Sequence, residues 1–557
     1  MSSRRCSAMS LRRFLFGATR MFAPLLAVAA PHLASAADQP VRPNIVIILA
    51  DDLGFSDLGA FGGEIATPNL DRLAQSGLRL TDFHASPTCS PTRAMLLSGT
   101  DNHTAGVGAM AESGIRAGKW GYEGHLTPRV ATFAERLRAA DYTTLMAGKW
   151  HLGLASEQDP HARGFDHSFA LLQGAHNHFG KGGFGPSDHP ATAAWYSQDG
   201  VRVAVPDDFY SSDYFTTKLI DQIKAAPKGK PILAYLAFTA PHSPLQAPAR
   251  LIAKYRGRYD GGWDQLRRDR LARMKALGLV SAETVPAPLR RDESVWEKLT
   301  PEQRRIESRK MEIYAAMVDR MDQNIGRLIA QLRKSGRYDN TLFLFSSDNG
   351  AAGEVPQTFS VMPGELDYIA RADNRLDNMG SASSFLLYGP YWAQAATAPS
   401  SMHKGWMTEG GTRVPAFITY PAVERQGEIG RIFADVMDIA PTLLDVAQVP
   451  ASDILDGRQV APLRGKSMLP YLSGKARYIH GEDEAVPSEL HGQRSVRQGR
   501  WKLLWLSPPF GAGDWALYDL EADPAEQQDI SARDPQRVAA MAAIWKSYAA
   551  DVRITTP

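Results

Sequence analysis

The hydrophobic pattern of the chain predicts buried parallel strands that end in polar residues. The run from Asn44 to Ala50 (NIVIILA) is almost continuously apolar, which is typical of a strand covered on both faces of a sheet. Similar runs end at Ala147, Thr239 and Ser346. Ligands of open α/β sheets bind beyond the carboxyl ends of the strands. The residues that follow these runs are therefore candidates for chemistry.

Other segments carry the three-and-four spacing of amphipathic helices. Apolar residues recur at this spacing from Met311 to Leu332 and predict a helix that Gly336 stops. Beyond residue 460 the pattern changes to short strands and a final helix from Pro535 to Val552. We therefore predict an α/β fold with a large mixed, mostly parallel sheet flanked by helices at 37–460, and a small antiparallel α+β domain at 461–557.

Residues 1–36 have the features of an export signal peptide. Arginines precede an apolar run, and the small residues at 34–36 suit cleavage before Ala37. The run is short and interrupted by proline, so we predict no stable membrane anchor. The segment from Ser10 to Leu15 (SLRRFL) resembles a twin-arginine signal, which predicts transport by that export machinery into the periplasm. An ordinary Sec leader is the alternative.

Composition limits the class of protein. With 557 residues, 44% of them hydrophobic and 22% charged, the chain fits a globular enzyme. Five of its 62 Lys and Arg residues lie in the leader, and the remaining 57 face 60 acidic residues, so no basic signature of nucleic-acid binding remains. Of the two cysteines, Cys6 lies in the leader and only Cys89 is exported. Because an exposed single thiol is a liability after export, we expect Cys89 to be buried or chemically converted.

Cys89 lies at the predicted start of a short helix. Ser90 suits the N-cap, Pro91 the first helical position and Gly99 the end of the helix. The N–H groups at a helix start attract an anion, and Arg93 one turn later reinforces this. The residues alone allow two interpretations of Cys89 with equal weight: a reactive group in an anion site, or an inert buried thiol.

Oxygen ligands follow two of the predicted strands. Asp51 and Asp52 come after the first strand, and Asp348 and Asn349 follow the strand that ends at Ser346. Carboxylate and amide oxygens suit Ca²⁺ or Mg²⁺ and argue against zinc. A turn-capping role for one of the paired aspartates is the plainer alternative.

Basic residues follow other strands. Lys149 and His151 (in GKWHLG) lie two residues apart on an extended segment and project to the same side. His242 is held between two prolines at the end of another strand, and Lys404 precedes a later short strand.

A group of histidines suggests a zinc site as an alternative. They lack the close spacing and the cysteine partners of a structural zinc site, so we assign them to surface loops, with His178 the candidate for a pocket neighbour. These histidines are His161, His167, His176, His178 and His189.

The motifs together resemble the formylglycine-dependent arylsulfatases, type I sulfatases of the alkaline phosphatase superfamily. CSPTR at 89–93 is similar to the signature whose cysteine is oxidised to formylglycine (3-oxoalanine). GKWHLG at 148–153, SDNG at 347–350 and HKGWMTEGGTRVP at 403–415 resemble further motifs of the family. The resemblance implies an alkaline phosphatase-like fold, hydrolysis of a small-molecule sulfate ester, and maturation by a formylglycine-generating enzyme.

The resemblance also implies roles for the candidate residues. It favours Ca²⁺ as the metal, with Mg²⁺ still open, and the ligands would be Asp51, Asp52, Cys89, Asp348 and Asn349. Arg93, Lys149 and Lys404 would bind the sulfuryl oxygens and offset their charge. His242 would protonate the leaving oxygen, and His151 would orient or deprotonate the second hydroxyl of the hydrated aldehyde.

Three other functions stay open at this point. A phosphonate monoester or phosphodiester hydrolase could use the same matured cysteine. A sulfate-binding relative without activity would keep a free thiol at Cys89. A zinc hydrolase would depend on His176 and His178.

Overall fold

The computed structural model describes residues 42–183, 193–289, 296–359 and 364–554. The predicted export signal at 1–36 and His189 lie outside these ranges. Within them the strands are β1 (Asn44–Ala50), β2 (Leu78–Leu80), β3 (Phe83–His84), β4 (Thr143–Lys149), β5 (His167–Leu171), β6 (Tyr196–Gln198), β7 (Val201–Val203), β8 (Ile232–Ala237), β9 (Thr341–Ser347), β10 (Ala416–Thr419), β11 (Ile429–Gly430), β12 (Ala434–Asp435), β13 (Ile454–Leu455), β14 (Arg458–Gln459), β15 (Ala485–Leu490), β16 (Gln493–Gln498), β17 (Trp501–Trp505) and β18 (Trp515–Asp519).

The largest sheet has ten strands in the order β11-β2-β10-β9-β1-β8-β4-β5-β6-β7. Its centre is parallel, because β1 pairs with β8 and β9, and β4 pairs with β8 and β5. Strand β10 runs antiparallel to β9, and β6 runs antiparallel to β5. This arrangement confirms the predicted large, mixed, mostly parallel sheet. The central strands are buried on both faces, which explains their continuous apolar sequences.

Helices surround this sheet. The α-helices of the described ranges are α1 (Pro68–Ser76), α2 (Cys89–Ser98), α3 (Asn102–Ala105), α4 (Phe133–Ala139), α5 (Ser211–Ala225), α6 (Ala249–Lys254), α7 (Gly262–Ala276), α8 (Pro301–Lys334), α9 (Pro356–Phe359), α10 (Glu365–Ala370), α11 (Gly389–Ala396), α12 (Glu409–Thr412), α13 (Ile439–Val446), α14 (Leu469–Leu472) and α15 (Pro535–Asp551). None of them combines the length and the apolarity that a membrane span needs.

The two faces of the sheet carry separate hydrophobic cores. Val46 and Ile48 of β1 belong to one core, and Ile45 and Ile47 belong to the other, as side-chain alternation along a strand requires. The first core includes α1, α5 and the apolar stripe of α8, which is the helix predicted from Met311 to Leu332. The second core includes α2, α4 and α13. The α2 helix is therefore anchored in the core by its apolar residues, and its first turn is held at the edge of the sheet.

A smaller antiparallel sheet lies near the C terminus. Its strand order is β15-β16-β17-β18, and α15 packs on it. Val496, Leu503 and Leu517 of the sheet share a core with Met541 and Trp545 of the helix. The predicted small α+β unit is confirmed, while its boundary at residue 460 stays a prediction.

Candidate active site

The carboxyl ends of four neighbouring strands bring predicted site residues to one edge of the main sheet. Lys149 is the last residue of β4, and Asp51, His242 and Asp348 follow β1, β8 and β9. Because these four strands are mutually parallel, their carboxyl ends meet at the same edge. The structure therefore brings these candidate residues to one edge of the sheet.

The α2 helix starts earlier than predicted. It begins at Cys89, with Thr88 in the N-cap position, so the prediction of a start at Pro91 with Ser90 as the N-cap is wrong. Pro91 is tolerated as the third helical residue because N–H groups of the first turn have no partner inside a helix. Ser90 Oγ is buried and finds no hydrogen-bond partner in the described chain. Gly99 ends the helix in the left-handed conformation (φ 66°), as predicted.

The sulfur of Cys89 is buried against two carboxylates. Cys89 Sγ lies 3.5 Å from Asp51 Oδ1 and 4.0 Å from Asp52 Oδ1. Burial raises the pKa of the Cys89 thiol well above its usual value, although Lys149 and Lys404 act in the opposite direction. The unconverted thiol is therefore neutral near pH 7 and a weak nucleophile.

Arg93 and Lys149 neutralise two of the acidic residues. Arg93 Nε and Nη2 donate to Asp348 Oδ2 over 3.0 and 2.7 Å, and Arg93 Nη1 donates to the Lys149 carbonyl over 3.0 Å. Lys149 Nζ lies 3.0 and 2.8 Å from the two carboxylate oxygens of Asp51. Burial lowers the pKa of Lys149, but the charge of Asp51 outweighs it and the net shift is upward. Both cations stay charged at the edge where an anion would bind.

Lys404 reaches the site from the loop after α11. Its Nζ donates to Asp52 Oδ2 over 3.0 Å and lies 3.2 Å from Glu354 Oε1. Burial raises the pKa of Asp52, but Lys404, His242 and Lys149 outweigh this and lower it to about 2. Asp52 is therefore ionised at neutral pH.

Asp52 and Asn349 form the part of the site that fits a metal ion. Asp52 has a left-handed backbone (φ 68°), and its N–H donates to Asp348 Oδ1 over 3.2 Å. Asn349 Nδ2 donates to Asp52 Oδ1 over 2.7 Å, while Asn349 Oδ1 is buried without a hydrogen-bond partner among the described residues. An unpaired amide oxygen beside carboxylates suits a hard divalent cation. Four side chains offer ligand atoms within 4.8 Å of one another: Asp51, Asp52, Cys89 and His242.

His242 lies at the same edge with its Nε2 facing Asp52. The distance from His242 Nε2 to Asp52 Oδ2 is 3.5 Å, and Nδ1 lies 2.6 Å from the Ser243 carbonyl oxygen. Burial lowers the pKa of His242 to about 3, although Asp52 acts in the opposite direction. The ring is therefore neutral at pH 7, with Nδ1–H donated to the backbone.

His151 contacts a residue that the sequence did not single out. Its Nε2 lies 2.8 Å from Glu112 Oε1 in the loop between α3 and α4. Burial raises the pKa of Glu112, but His151 outweighs this and lowers it to about 2. His151 Nδ1 is buried and has no hydrogen-bond partner in the described part of the chain. The role of His151 toward Cys89 stays a prediction.

The assignment of His176 and His178 to surface loops is wrong. Both are buried, and both ring nitrogens of each have polar partners. His176 Nδ1 lies 2.5 Å from the Tyr196 hydroxyl oxygen, and His176 Nε2 lies 2.9 Å from the Thr239 hydroxyl oxygen. His178 contacts the Ser211 hydroxyl and the carbonyl of His242, which makes it a neighbour of the site, as predicted. Because these nitrogens are already engaged, they do not form the zinc site considered as an alternative.

One other group among the described residues has the spacing of metal ligands. It consists of Asp82, His84 and Glu409. Lys502 Nζ lies 2.8 Å from Glu409 Oε1, and Arg497 Nη2 lies 2.7 Å from Asp82 Oδ2. Both carboxylates are paired with cations of β16 and β17, so the group is an ion-pair network that joins β3 and α12 to the C-terminal sheet.

Three residues around the site were not found from the sequence. Glu354 contacts Lys404, Glu112 contacts His151, and Gln493 of β16 bonds to the backbone beside Lys404. Glu354 follows the SDNG motif closely, which is the only sequence signal for any of them.

Two family profiles match the chain. The profile described as Sulfatase matches residues 43–449, and the profile described as N-sulphoglucosamine sulphohydrolase, C-terminal, matches residues 400–550. An uncharacterized sulfatase of Schizosaccharomyces pombe is 45% identical over 528 residues, which cover 92% of this chain and 95% of the relative. An arylsulfatase of Klebsiella aerogenes is 42% identical over 447 residues, which cover 80% of this chain and 95% of the relative.

The fold has solved relatives as well. The crystal structure of Ps i-CgsB matches with a TM-score of 0.65 at 24% identity, and the match covers 91% of this chain and 92% of that one. The chain belongs to the Sulfatase family, within the alkaline phosphatase superfamily. It is a sulfuric ester hydrolase, which converts sulfate esters to an alcohol or phenol and inorganic sulfate.

Proposed function

We propose that this sulfatase hydrolyses aryl sulfates through a formylglycine made from Cys89. The position of Cys89 is the observation that carries the proposal. Cys89 is the first residue of the buried helix α2, its Sγ lies 3.5 Å from Asp51 Oδ1, and Arg93 follows one turn later in the helix. A helix N-terminus and nearby cations attract a sulfate group. The similarity to an arylsulfatase of Klebsiella aerogenes supports a phenol as the leaving group.

The proposed reaction has two steps. One hydroxyl of the hydrated aldehyde at position 89 gives its proton to the adjacent Asp51 carboxylate and attacks sulfur. The bond from sulfur to the phenol oxygen breaks, and His242, protonated in the complex, supplies that oxygen with a proton. The second hydroxyl then loses its proton to His151. Its C–O bond becomes the C=O bond of the aldehyde, while the bond from the same carbon to the sulfate oxygen breaks and sulfate leaves. Water rehydrates the aldehyde. A serine would form the same ester but would lack the second hydroxyl that expels sulfate.

The charges of the site support a divalent metal as cofactor. The three carboxylates of Asp51, Asp52 and Asp348 are balanced by Arg93, Lys149 and Lys404, so the side chains alone leave little net positive charge for an anionic ester. When bound, the metal supplies positive charge for the nucleophile and the sulfuryl oxygens. The proposed ligands are Asp51, Asp52, residue 89, Asp348 and Asn349, and the family resemblance favours Ca²⁺ over Mg²⁺.

We also propose that the chain is exported to the periplasm by the twin-arginine route and matured by a formylglycine-generating enzyme. The sequence from Ser10 to Leu15 supports the route. Replacing Arg12 and Arg13 by Lys is expected to abolish periplasmic activity. Unchanged periplasmic activity in this variant would instead indicate Sec export.

The decisive experiment is the mass of the tryptic peptide 80–93 from the exported protein. Conversion of the thiol to an aldehyde is expected to lower the peptide mass by about 18 Da. The converted protein should then hydrolyse 4-nitrophenyl sulfate faster than 4-nitrophenyl phenylphosphonate. Faster phosphonate turnover would overturn the assignment to aryl sulfates.

The matched control is Cys89→Ser, expressed together with the maturase. We expect its peptide to keep the serine mass and its turnover of 4-nitrophenyl sulfate to stop after a single event, because a serine sulfate ester cannot eliminate. A wild-type peptide that keeps the thiol mass even with the maturase, in a protein that still turns over, would refute the formylglycine mechanism.

A further inference from the structure

Glu354 places a carboxylate beside the lysine that is proposed to bind sulfate. Glu354 Oε1 lies 3.2 Å from Lys404 Nζ, on the segment between Asn349 and α9. The Glu354 side chain is 24% exposed, whereas those of Lys404 and Asp52 are 6% and 1% exposed. Lys404 thus links Asp52 in the interior to Glu354 at the solvent side of the site.

A carboxylate at this position needs an explanation, because it repels the anionic ester that the site binds. The carboxylates of Asp51, Asp52 and Asp348 differ, since they face a candidate metal position and are buried. Glu354 is more exposed. The charge of Lys404 is already neutralised by Asp52, because Lys404 Nζ donates to Asp52 Oδ2 over 3.0 Å. Lys404 therefore does not need Glu354 as a second carboxylate to balance its charge.

Glu354 is joined to His242 through two shared contacts. Lys404 Nζ lies 3.2 Å from Glu354 Oε1 and 3.0 Å from Asp52 Oδ2, and the same Asp52 oxygen lies 3.5 Å from His242 Nε2. Glu354 is therefore near the two residues proposed to hold the sulfuryl oxygen and the leaving oxygen. A carboxylate accepts hydrogen bonds from hydroxyl and ammonium groups and repels a second anionic group. The leaving group is the part of the ester that such a carboxylate would contact.

We propose that Glu354 is a specificity-determining residue that favours sulfate esters whose leaving group carries a hydroxyl or ammonium donor, and that disfavours leaving groups with a second negative charge. The inference rests on the proposed function, because it takes Lys404 as the sulfate contact and His242 as the neighbour of the leaving oxygen. The substrate class is thus a monosulfate of a neutral or cationic phenol or alcohol.

The test compares three aryl sulfates that differ in charge: tyramine sulfate, 4-nitrophenyl sulfate and 4-carboxyphenyl sulfate. The wild type is expected to show a higher kcat/KM for the ammonium substrate than for the carboxylate substrate. Glu354→Gln keeps the shape and removes the charge, so this ratio is expected to fall by about 5- to 20-fold, as one charge pair at roughly 6 Å predicts. Glu354→Ala should reduce the ratio similarly. This variant is the control for a hydrogen bond between the glutamine side chain and the substrate, which alanine cannot make.

The matched control is Glu521→Gln, which makes the same charge change at an exposed residue paired with Arg500 on the C-terminal sheet. Its ratio is expected to equal that of the wild type. An unchanged ratio in both Glu354 variants overturns the inference. An equal loss of kcat/KM for all three substrates also overturns it, because that result means that Glu354 only holds Lys404 in position. Failure of the proposed function is distinguished by a wild type that does not turn over even 4-nitrophenyl sulfate when residue 89 is converted.

Discussion

At the residue scale, the site is a set of buried charges that neutralise one another in pairs. Asp348 is paired with Arg93, Asp51 with Lys149 and Asp52 with Lys404. Such groups tolerate burial only while each charge keeps its partner. A substrate that binds here must therefore exchange contacts with groups that are already satisfied, so small changes in these side chains affect substrate binding directly.

His242 offers a residue-scale prediction that depends on the leaving group. Because burial lowers the pKa of His242 to about 3, the bound ester must favour its protonated form if the ring is to donate a proton. Alkyl leaving groups need that proton more than nitrophenol does. In His242→Ala we expect kcat to fall at least tenfold more for an alkyl sulfate than for 4-nitrophenyl sulfate. Equal losses for the two esters would rule out this role.

Glu112 offers a second residue-scale prediction. Its contact with His151 Nε2 leaves Nδ1 free of protein hydrogen bonds within the described residues, which suits a base at Nδ1. Glu112→Ala removes the contact, and we expect kcat to fall about tenfold while the sulfated enzyme accumulates. Intact-mass spectra during turnover measure that form. Glu112→Gln, which retains an acceptor for Nε2–H, should lose less. A fall in kcat without accumulation would show that His151 does not serve the second step.

At the element scale, the turn that carries Lys404 is fixed by three separate elements. Lys404 N–H donates to the Ala351 carbonyl after β9 over 3.0 Å, and Gly405 N–H donates to the Pro87 carbonyl just before α2 over 2.8 Å. Gln493 of β16 donates through Nε2 to the Gly405 carbonyl over 2.7 Å and accepts from Met407 N–H over 3.0 Å. The C-terminal sheet is therefore one of the supports of the lysine that is proposed to bind sulfate.

The variant Gln493→Ala tests this support. It removes two hydrogen bonds from the turn, each worth about 1 kcal/mol, so we expect KM for 4-nitrophenyl sulfate to rise roughly 3- to 10-fold. Gln498→Ala is the matched control, since Gln498 lies on the same strand and donates to the Asp483 carbonyl over 2.9 Å at an exposed position. Its KM should stay unchanged. A loss of thermal stability in Gln493→Ala with an unchanged KM would mean that the contact serves folding alone.

The elements were predictable where one local signal dominates. The run from 44 to 50 favours a buried strand, because it is almost continuously apolar and too short for a typical helix. The start of α2 was missed because Ser90 and Pro91 compete with Thr88 as start signals, and packing decides between them. The burial of His176 and the contact of Gln493 with Gly405 depend on partners remote in sequence, which a single sequence does not reveal.

At the scale of the whole molecule, buried charges connect the C-terminal sheet to helices α12 and α3 of the larger unit. Lys502 of β17 pairs with Glu409, and Glu489 of β15 pairs with His103 of α3. Tyr548 of α15 also donates to Asp101, which caps α3, over 2.7 Å. The chain before and after the predicted boundary at residue 460 is thus joined by buried polar contacts, and its stability should depend on their protonation.

His103 makes this dependence measurable. Burial lowers the pKa of His103, but Asp101 and Glu489 outweigh this and raise it from 6.5 to about 9. Because the folded protein holds this proton more tightly than the unfolded chain, the stabilisation is complete below about pH 6.5 and is lost as the pH rises through about 9. The shift corresponds to roughly 3 kcal/mol. We therefore expect the difference in free energy of unfolding between the wild type and His103→Gln, measured by urea unfolding, to narrow by that amount between pH 6.5 and 9.5.

Buried tyrosines do not titrate in the folded protein within this pH range, because burial raises the pKa values of Tyr122 and Tyr548 above it. A difference that stays constant across the window would show that His103 is neutral in the folded protein and that α3 and the C-terminal sheet are joined there by hydrogen bonds without charge.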